Sequence, residues 1–253
     1  MTAFPRPARH LLALALALAA TPALADDPFS RTVFFGDSLT DSGFYRPLLP
    51  ASVQAVTGQF TTNPGWVWSQ YLADYYGTEA KPNGNGQAGS NYAAGGARVA
   101  VDSTGALGAV PSLATQVGNY LAANGGKADP NALYTVWGGA NDLFAVTAGA
   151  NSTTTIGTAV YTEVGLAGQL QGAGARYVMV FNIPDLGLTP SFRAQGAVAQ
   201  ATGTQLASTY NAALFSGLAA RYIARQAAGR PNIITGKKPL MNMPALLSPA
   251  KKR

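Results

Sequence analysis

Arg31 to Phe35 reads RTVFF, and Gly36-Asp37-Ser38 follows it directly. A run of β-branched and aromatic residues without polar alternation predicts a buried strand, and the Gly-Asp-Ser that ends it predicts a tight turn. The same grammar recurs along the chain. Ser90 to Ala94 (SNYAA) leads into Gly95-Gly96, and Asn131 to Trp137 (NALYTVW) runs into Gly138-Gly139. Arg176 to Ile183 (RYVMVFNI) is the clearest buried strand, and Pro184-Asp185-Leu186-Gly187 turns it. Helical stretches separate these runs. Gly65 to Tyr76 has near-helical apolar spacing. Ser112 can cap a helix to Ala123 with Leu113, Val117, Tyr120 and Leu121 on one face. Thr155 to Gln171 predicts an amphipathic helix ending near Gly172 and Gly174, and Phe192 to Ala220 predicts one long helix. Lys81 to Ser90 (KPNGNGQAGS) predicts a loop. Strands alternating with helices, each strand continuously apolar, predict one α/β domain with a parallel sheet covered on both faces.

Composition narrows the chemistry. The 253 residues are 47% hydrophobic, enough for a buried core, and only 11% charged. There is no Cys, which excludes disulfides, thiolate metal sites and a thiol nucleophile. A single His excludes a multi-histidine metal site. No phosphate-cradling glycine motif is present, which disfavours a nucleotide enzyme.

The first residues carry an address. Arg6, Arg9 and His10 precede the apolar run Leu11 to Ala20, and Ala23-Leu24-Ala25 stands before Asp26-Asp27. This is the pattern of a secretory signal peptide, residues 1–25, and the run is too short to span a bilayer. Cleavage after Ala25 would export the chain to the periplasm, the surface or the medium. It would also remove the only His.

Charge is unevenly spread. From Asp26 to Ala220 there are 7 basic and 11 acidic residues; from Arg221 to Arg253 there are 8 basic residues and no acid. The domains expected are therefore a leader, a body over residues 26–220, and a basic, Pro-containing tail over residues 221–253. Such a tail can bind nucleic acid or anionic lipid, but Tyr222 is its only aromatic, and a solvated tail is preferred. No nucleic-acid partner is expected.

Three strand ends carry unusual chemistry, and open parallel sheets place their sites there. Ser38 follows a tight turn and can project its hydroxyl, and its N–H, into a cleft; a helix N-cap is the bland alternative. The pair Gly95-Gly96 lets a backbone N–H approach a ligand; a plain turn is the alternative. Asn141, in Gly138-Gly139-Ala140-Asn141-Asp142, offers a neutral amide donor suited to an oxyanion; an Asn-Asp helix cap is the alternative.

The order of these three segments, with FFGDSLTDSG, NYAAGGARV and VWGGANDL as they stand here, resembles the GDSL or SGNH serine esterases. Within that family the chain looks most like the passenger domain of secreted autotransporter esterases, over roughly Val33 to Ala220. The resemblance implies a flavodoxin-like three-layer α/β sandwich with a parallel sheet, no cofactor, and a small-molecule or lipid ester as substrate. It implies Ser38 as nucleophile, with the Ser38 N–H, an N–H of Gly95 or Gly96, and the Asn141 amide as oxyanion hole. Spacing slightly favours Gly96 over Gly95. Asp37 and Asp142 are expected to hold turns. The loop Phe44 to Pro64, with Trp66 and Trp68, lines an acyl pocket or packs in the core.

One family block has no counterpart. The resemblance calls for Asp-x-x-His near the end, the His as general base and the Asp as its orienter. No His follows Ser38, and no acid follows Asp185. The sheet is therefore expected to be incomplete at its C-terminal end, with an open edge, and no outer-membrane barrel is accommodated. The switch to basic charge near Ala220 favours an altered reading frame there over a divergent intact enzyme. Lys81, Lys127 and Asp41 are weak substitutes for the base. The expectation is an esterase scaffold with little turnover. A non-catalytic secreted binding module and a basic-tail interaction protein are the competing classes.

Overall fold

The computed structural model describes residues 28–61 and 65–227. The expected leader, and the tail beyond residue 227, lie outside the described residues.

β1 (Thr32–Gly36) is an interior strand of the sheet and is buried throughout. A short helix, α1 (Ala51–Gln54), and α2 (Trp68–Tyr75) follow it. Two hairpins come next, β2 (Asn83–Gly84) with β3 (Gln87–Ala88), and β4 (Ser103–Gly105) with β5 (Gly108–Val110). Then come α3 (Leu113–Ala123), β6 (Leu133–Trp137), α4 (Ala140–Thr147), α5 (Ser152–Gly172) and β7 (Tyr177–Val180). The described chain closes with α6 (Pro190–Ala194) and α7 (Ala197–Ala227).

β1, β6 and β7 form a parallel sheet in that order, Gly36 opposite Trp137 and Val136 opposite Val180. On the other side of β1, residues 90–94 run alongside as a fourth rung. Ser90 O accepts from Phe34 N–H at 3.0 Å, and Tyr92 N–H donates to Phe34 O at 2.8 Å. In sequence order the spatial arrangement is second, first, third, fourth. That is the flavodoxin-like winding, whose reversal point lies between β1 and β6.

Alternation across the strands sorts the layers. Val33, Phe35, Tyr134, Val136 and Val178 share a core with Leu113, Val117 and Tyr120 of α3 and Leu166 and Leu170 of α5. Phe34 points the other way, against Ala73, Leu72 and Trp68. A second core joins Ile156 and Val160 of α5 to Tyr210 and Leu214 of α7. Burial of these side chains stabilises the fold by ~1.5–3 kcal/mol for each large apolar residue.

Local chemistry sets the element ends. Ser112 Oγ accepts from Thr115 N–H at 3.2 Å to start α3, and Asn151 Oδ1 accepts from Thr154 N–H at 3.0 Å to start α5. The segment expected as one helix from Phe192 is two, because Gly196 breaks it at φ +92°. The second of them continues through Ala220 to Ala227 without interruption. The expected loop at residues 81–90 contains the β2–β3 hairpin, turned by Asn85 (φ +50°) and Gly86 (φ +83°). Both turn residues adopt the left-handed geometry that two-residue hairpins need.

Among the described residues β7 is the sheet's outer strand on this side. Its Met179 lies opposite Thr135, on the face that carries Phe34, and is 36% exposed. Trp68, Trp137 and Phe181 cluster further along that face, with ring centroids 4.9–5.5 Å apart.

Candidate active site

The turn after β1 is built on Asp37. Its Oδ1 accepts from Leu39 N–H at 3.0 Å, and its carbonyl accepts from Thr40 N–H and Asp41 N–H, both at 3.0 Å. Gly36 must be glycine, since a Cβ there would sit 2.6 Å from Thr40 Oγ1 and 3.0 Å from the Trp137 carbonyl. The buried Gln116 amide grips both backbone groups of Gly36: Gly36 N–H donates to Oε1 and Nε2 donates to Gly36 O, each at 2.9 Å. Ser38 is thereby held at the lip of the sheet, half-buried. Neither its hydroxyl nor its N–H has a hydrogen-bond partner among the described residues.

Asp41 ties this turn to the glycine pair. It is fully buried. Oδ1 accepts from Gly43 N–H at 2.7 Å and Phe44 N–H at 2.6 Å, and Oδ2 accepts from Gly95 N–H at 2.9 Å. Gly95 O accepts from Tyr45 O–H at 2.9 Å. Both backbone groups of Gly95 are therefore engaged inside the protein. Gly96, at φ +83°, keeps an N–H with no acceptor among the described residues.

Asn141 lies in the first turn of α4, close beyond β6. Its Nδ2 donates to Ala97 O at 2.9 Å and points at Asp37 Oδ2 at a long 3.4 Å. One side chain thus touches the loop of Ser38 and the loop of Gly96. The next residue, Asp142, is buried and makes a second tie: Oδ1 pairs with Arg98 Nε at 2.9 Å, and Oδ2 accepts from Val99 N–H at 2.9 Å. All four residues expected at the site, Ser38, Gly95, Gly96 and Asn141, come from adjacent strand ends. The structure engages Gly95 internally and leaves Gly96 available.

The expected pocket-lining residues separate. Phe44 and Tyr45 are buried in the core. Phe60 lies across Gly95, where a Cβ would meet its ring at 2.2 Å, and is 54% exposed. Trp68 belongs to the aromatic cluster on the sheet, and its Nε1 donates to Thr40 Oγ1 at 3.3 Å. Trp66 packs on Tyr71 at 5.4 Å. Residues 62–64, with Pro64, lie outside the described residues.

Carboxyl groups crowd beneath the strand ends. Burial pushes Asp37 up to about 6, with repulsion from Asp142 and Asp41 adding to it. Burial also raises Asp41 and Asp142, against the pull of the N–H groups they accept from. None of the substitute bases is at hand. Asp41 is fully buried and held by three N–H donors, Lys81 is exposed and paired with Glu79 at 2.8 Å, and Lys127 is exposed beyond the far end of α3. Among the described residues no group of His, Cys, Asp and Glu could hold a metal ion.

The GDSL-like lipase/acylhydrolase family model matches residues 32–234, which includes every loop just described. The chain belongs to that family. The match runs past Ala220, so the family likeness does not end where the charge changes sign.

Three curated relatives are similar to the chain over most of its length. Esterase EstA of Pseudomonas aeruginosa is 31% identical over 237 residues, covering 81% of this chain and 36% of its own length. An uncharacterized protein in the trpE-trpG intergenic region of Pseudomonas putida is 34% identical over 222 residues, covering 80% of this chain and 36% of its own. A phosphatidylcholine-sterol acyltransferase of Aeromonas hydrophila is 31% identical over 182 residues, covering 69% of this chain and 50% of its own. The chain thus spans between about a third and a half of the length of these relatives.

Sequence reasoning missed several supports. Gln116 sits on the apolar face of α3, beside Val117 and Tyr120, and Glu163 sits among Ile156, Val160, Leu166 and Leu170 of α5. A polar residue inside an apolar stripe was the visible signal in both cases. Arg98 and Tyr45 gave no signal, because their partners lie 44 and 50 residues away.

Proposed function

We propose that this family member handles carboxylic esters at Ser38, with the Ser38 N–H, the Gly96 N–H and the Asn141 amide as its oxyanion hole. The observation that carries the reading is the Asn141 side chain, wedged between the two loops that present those N–H groups. Gly96 is assigned over Gly95 because the single Gly95 N–H is already held by Asp41, whereas Asn141 has two amide hydrogens: Ala97 O takes one, and the other, with only a long 3.4 Å contact to Asp37 Oδ2, is left for the oxyanion. In the reaction the Ser38 oxygen attacks the ester carbonyl carbon and passes its proton to a base. The carbonyl oxygen becomes an oxyanion facing the three donors. Collapse breaks the bond to the alcohol oxygen, which leaves with a proton, and water then releases the acid from acyl-Ser38. Each oxyanion donor contributes ~10²–10³ in kcat. Leu39 (42% exposed) beside Ser38 and Phe60 over Gly95 give the rim an apolar character suited to an acyl chain.

The base is the weak step. This sequence holds no His after His10, and among the described residues no side chain hydrogen-bonds the Ser38 hydroxyl. Serine without a neighbouring base is a poor nucleophile, and loss of the His in a comparable triad costs ~10⁶ in kcat. The 253 residues therefore bind and slowly acylate, with solvent as base. The unpartnered Ser38 hydroxyl favours a second reading, in which the chain is a secreted module that retains an ester pocket for binding alone. The leader reading makes the protein an exported one; N-terminal sequencing of the exported form should begin at Asp26.

Hydrolysis of a short-chain chromogenic ester, with and without added imidazole, tests the proposal beside Ser38→Ala. A small Ser38-dependent rate that imidazole raises, with acyl-Ser38 visible by intact mass, is the expected result. Rates equal to the variant under both conditions refute ester hydrolysis. A rate of ordinary enzyme size without imidazole means that a working base is present and overturns the account of the missing one.

A further inference from the structure

Beneath the Asn141 turn lies a polar pair that the reaction does not use. Glu163, in the middle of α5, is 0% exposed. Its Oε2 accepts from the buried Tyr210 O–H of α7 at 2.6 Å. Burial pushes this carboxyl up to about 8, while Tyr210 O–H and the nearby Gly138 N–H pull against that rise. Oε1 makes no hydrogen bond that meets ordinary geometry. A buried acid with one unfilled oxygen costs stability that a Leu and a Phe would not.

The pair is fitted to the turn above it. Gly139 adopts φ +102°, and a Cβ there would stand 2.4 Å from Tyr210 Cζ and 2.6 Å from its hydroxyl oxygen. The Tyr210 ring therefore rests directly against the Gly139 backbone. Gly139 O accepts from Leu143 N–H at 3.0 Å, the first bond of α4, and Asn141 sits inside that first turn. The neighbour of Tyr210 does similar work: Asn211 holds both backbone groups of Ile183, at 2.8 and 2.7 Å, and Ile183 also touches Gly139. One turn of α7 thus grips the ends of β6 and β7 together.

We propose that Glu163 and Tyr210 are positioning residues: they fix the Gly138-Gly139 turn from below and so aim the Asn141 amide at the oxyanion. This rests on the reading of Asn141 as an oxyanion donor. Tyr210 supplies the surface on which the turn lies, and the Glu163 carboxyl fixes the ring by its hydroxyl. Loss of the hydroxyl frees the ring and leaves a buried carboxyl without its partner. The turn then loosens at the residue that starts α4.

The test is a double-mutant cycle on the whole chain, read as the rate of Ser38 modification by a fluorophosphonate with imidazole as added base. Tyr210→Phe should slow modification about threefold to tenfold, a coupling of ordinary size for residues linked through a shared backbone shift. In an Asn141→Ala background the same change should alter the rate by less than about twofold, since the donor it aims is gone. Glu163→Gln, which keeps an acceptor for Tyr210, should retain most of the rate that Glu163→Ala loses. Hydrogen exchange gives a readout independent of reactivity: Tyr210→Phe should speed exchange over residues 138–143 and leave 113–123 unchanged. Additive effects in the cycle, or unchanged exchange over 138–143, overturn the proposal. Absence of any Ser38-specific labelling in the unmodified chain refutes the ester reading instead, and exchange then decides the positioning role by itself.

Discussion

Asp41→Asn tests the loop architecture with a change of one atom. The carboxylate accepts two N–H bonds on Oδ1 and one on Oδ2, at 2.6–2.9 Å, with no exposure to water. An Asn can keep its oxygen on only one side. Held toward Gly43 and Phe44, it preserves two bonds and turns its NH2 group on the Gly95 N–H, donor against donor. One bond to a charged acceptor, worth ~1.5–3 kcal/mol, is lost, and a buried donor is left unpaired at a further ~1–3 kcal/mol. Part of this is offset, because burial disfavours the ionised Asp41 carboxylate and the neutral amide escapes that cost. The net expectation is a loss of ~1–3 kcal/mol, or a Tm lower by ~3–10 °C for a domain of this size. Thermal unfolding measures it. Release of Gly95 also frees the turn that presents the Gly96 N–H, so Ser38 labelling should slow by about tenfold. A Tm within about a degree of the parent, with unchanged labelling, would show that Asp41 does not tie the two loops.

Other outcomes follow from the same contacts. Asp37 and Glu163 both have folded-state pKa values above their unfolded ones, at about 6 and about 8, so the folded state binds more protons and stability falls as pH rises between roughly 4 and 8. Tm should therefore drop from about pH 5 to about pH 8, by up to about 4 kcal/mol of stability, and Glu163→Gln should flatten the upper half of that curve. Asp102 and Asp129 are held low by hydrogen bonds, so their contributions disappear only as pH falls below about 4, outside that window. Gly139→Ala should prevent stable folding, because its methyl would overlap the Tyr210 ring. Gly149→Ala, at a similar φ of +105° in open space, should cost only ~1–2 kcal/mol; equal losses by chemical denaturation would refute the distinction. Phe60→Ala should leave Tm nearly unchanged, since the ring is exposed, yet weaken labelling by long-chain phosphonates relative to short ones; an unchanged chain-length profile removes Phe60 from the acyl site.

Much of this was readable along the chain. RTVFF, NALYTVW and RYVMVFNI announce buried strands because a parallel sheet covered by helices requires residues apolar on both faces. The segments holding Ser38, Gly95-Gly96 and Asn141 stood out as a set of three strand ends in a fixed order, although each alone also reads as a plain turn or helix cap, and the sequence left the two glycines undivided. The β4–β5 hairpin at residues 103–110 was not read, since its short exposed strands carry no hydrophobic period. The break at Gly196 was hidden in an Ala- and Gln-rich stretch of strong helix propensity, where a single glycine costs only ~1 kcal/mol against Ala.

By itself, then, the sequence determined the buried parallel strands, the main covering helices, the three turns and the absence of a His after His10, because these depend on neighbours within a few residues. Tertiary structure alone decided which glycine N–H faces outward, through an Asp41 carboxylate 54 residues from Gly95. It alone brought Gln116 to Gly36 across 80 residues and Tyr210 to Glu163 across 47. A hydrogen bond between distant residues leaves no local period to read. It follows from where two elements pack, and only the folded sheet fixes that.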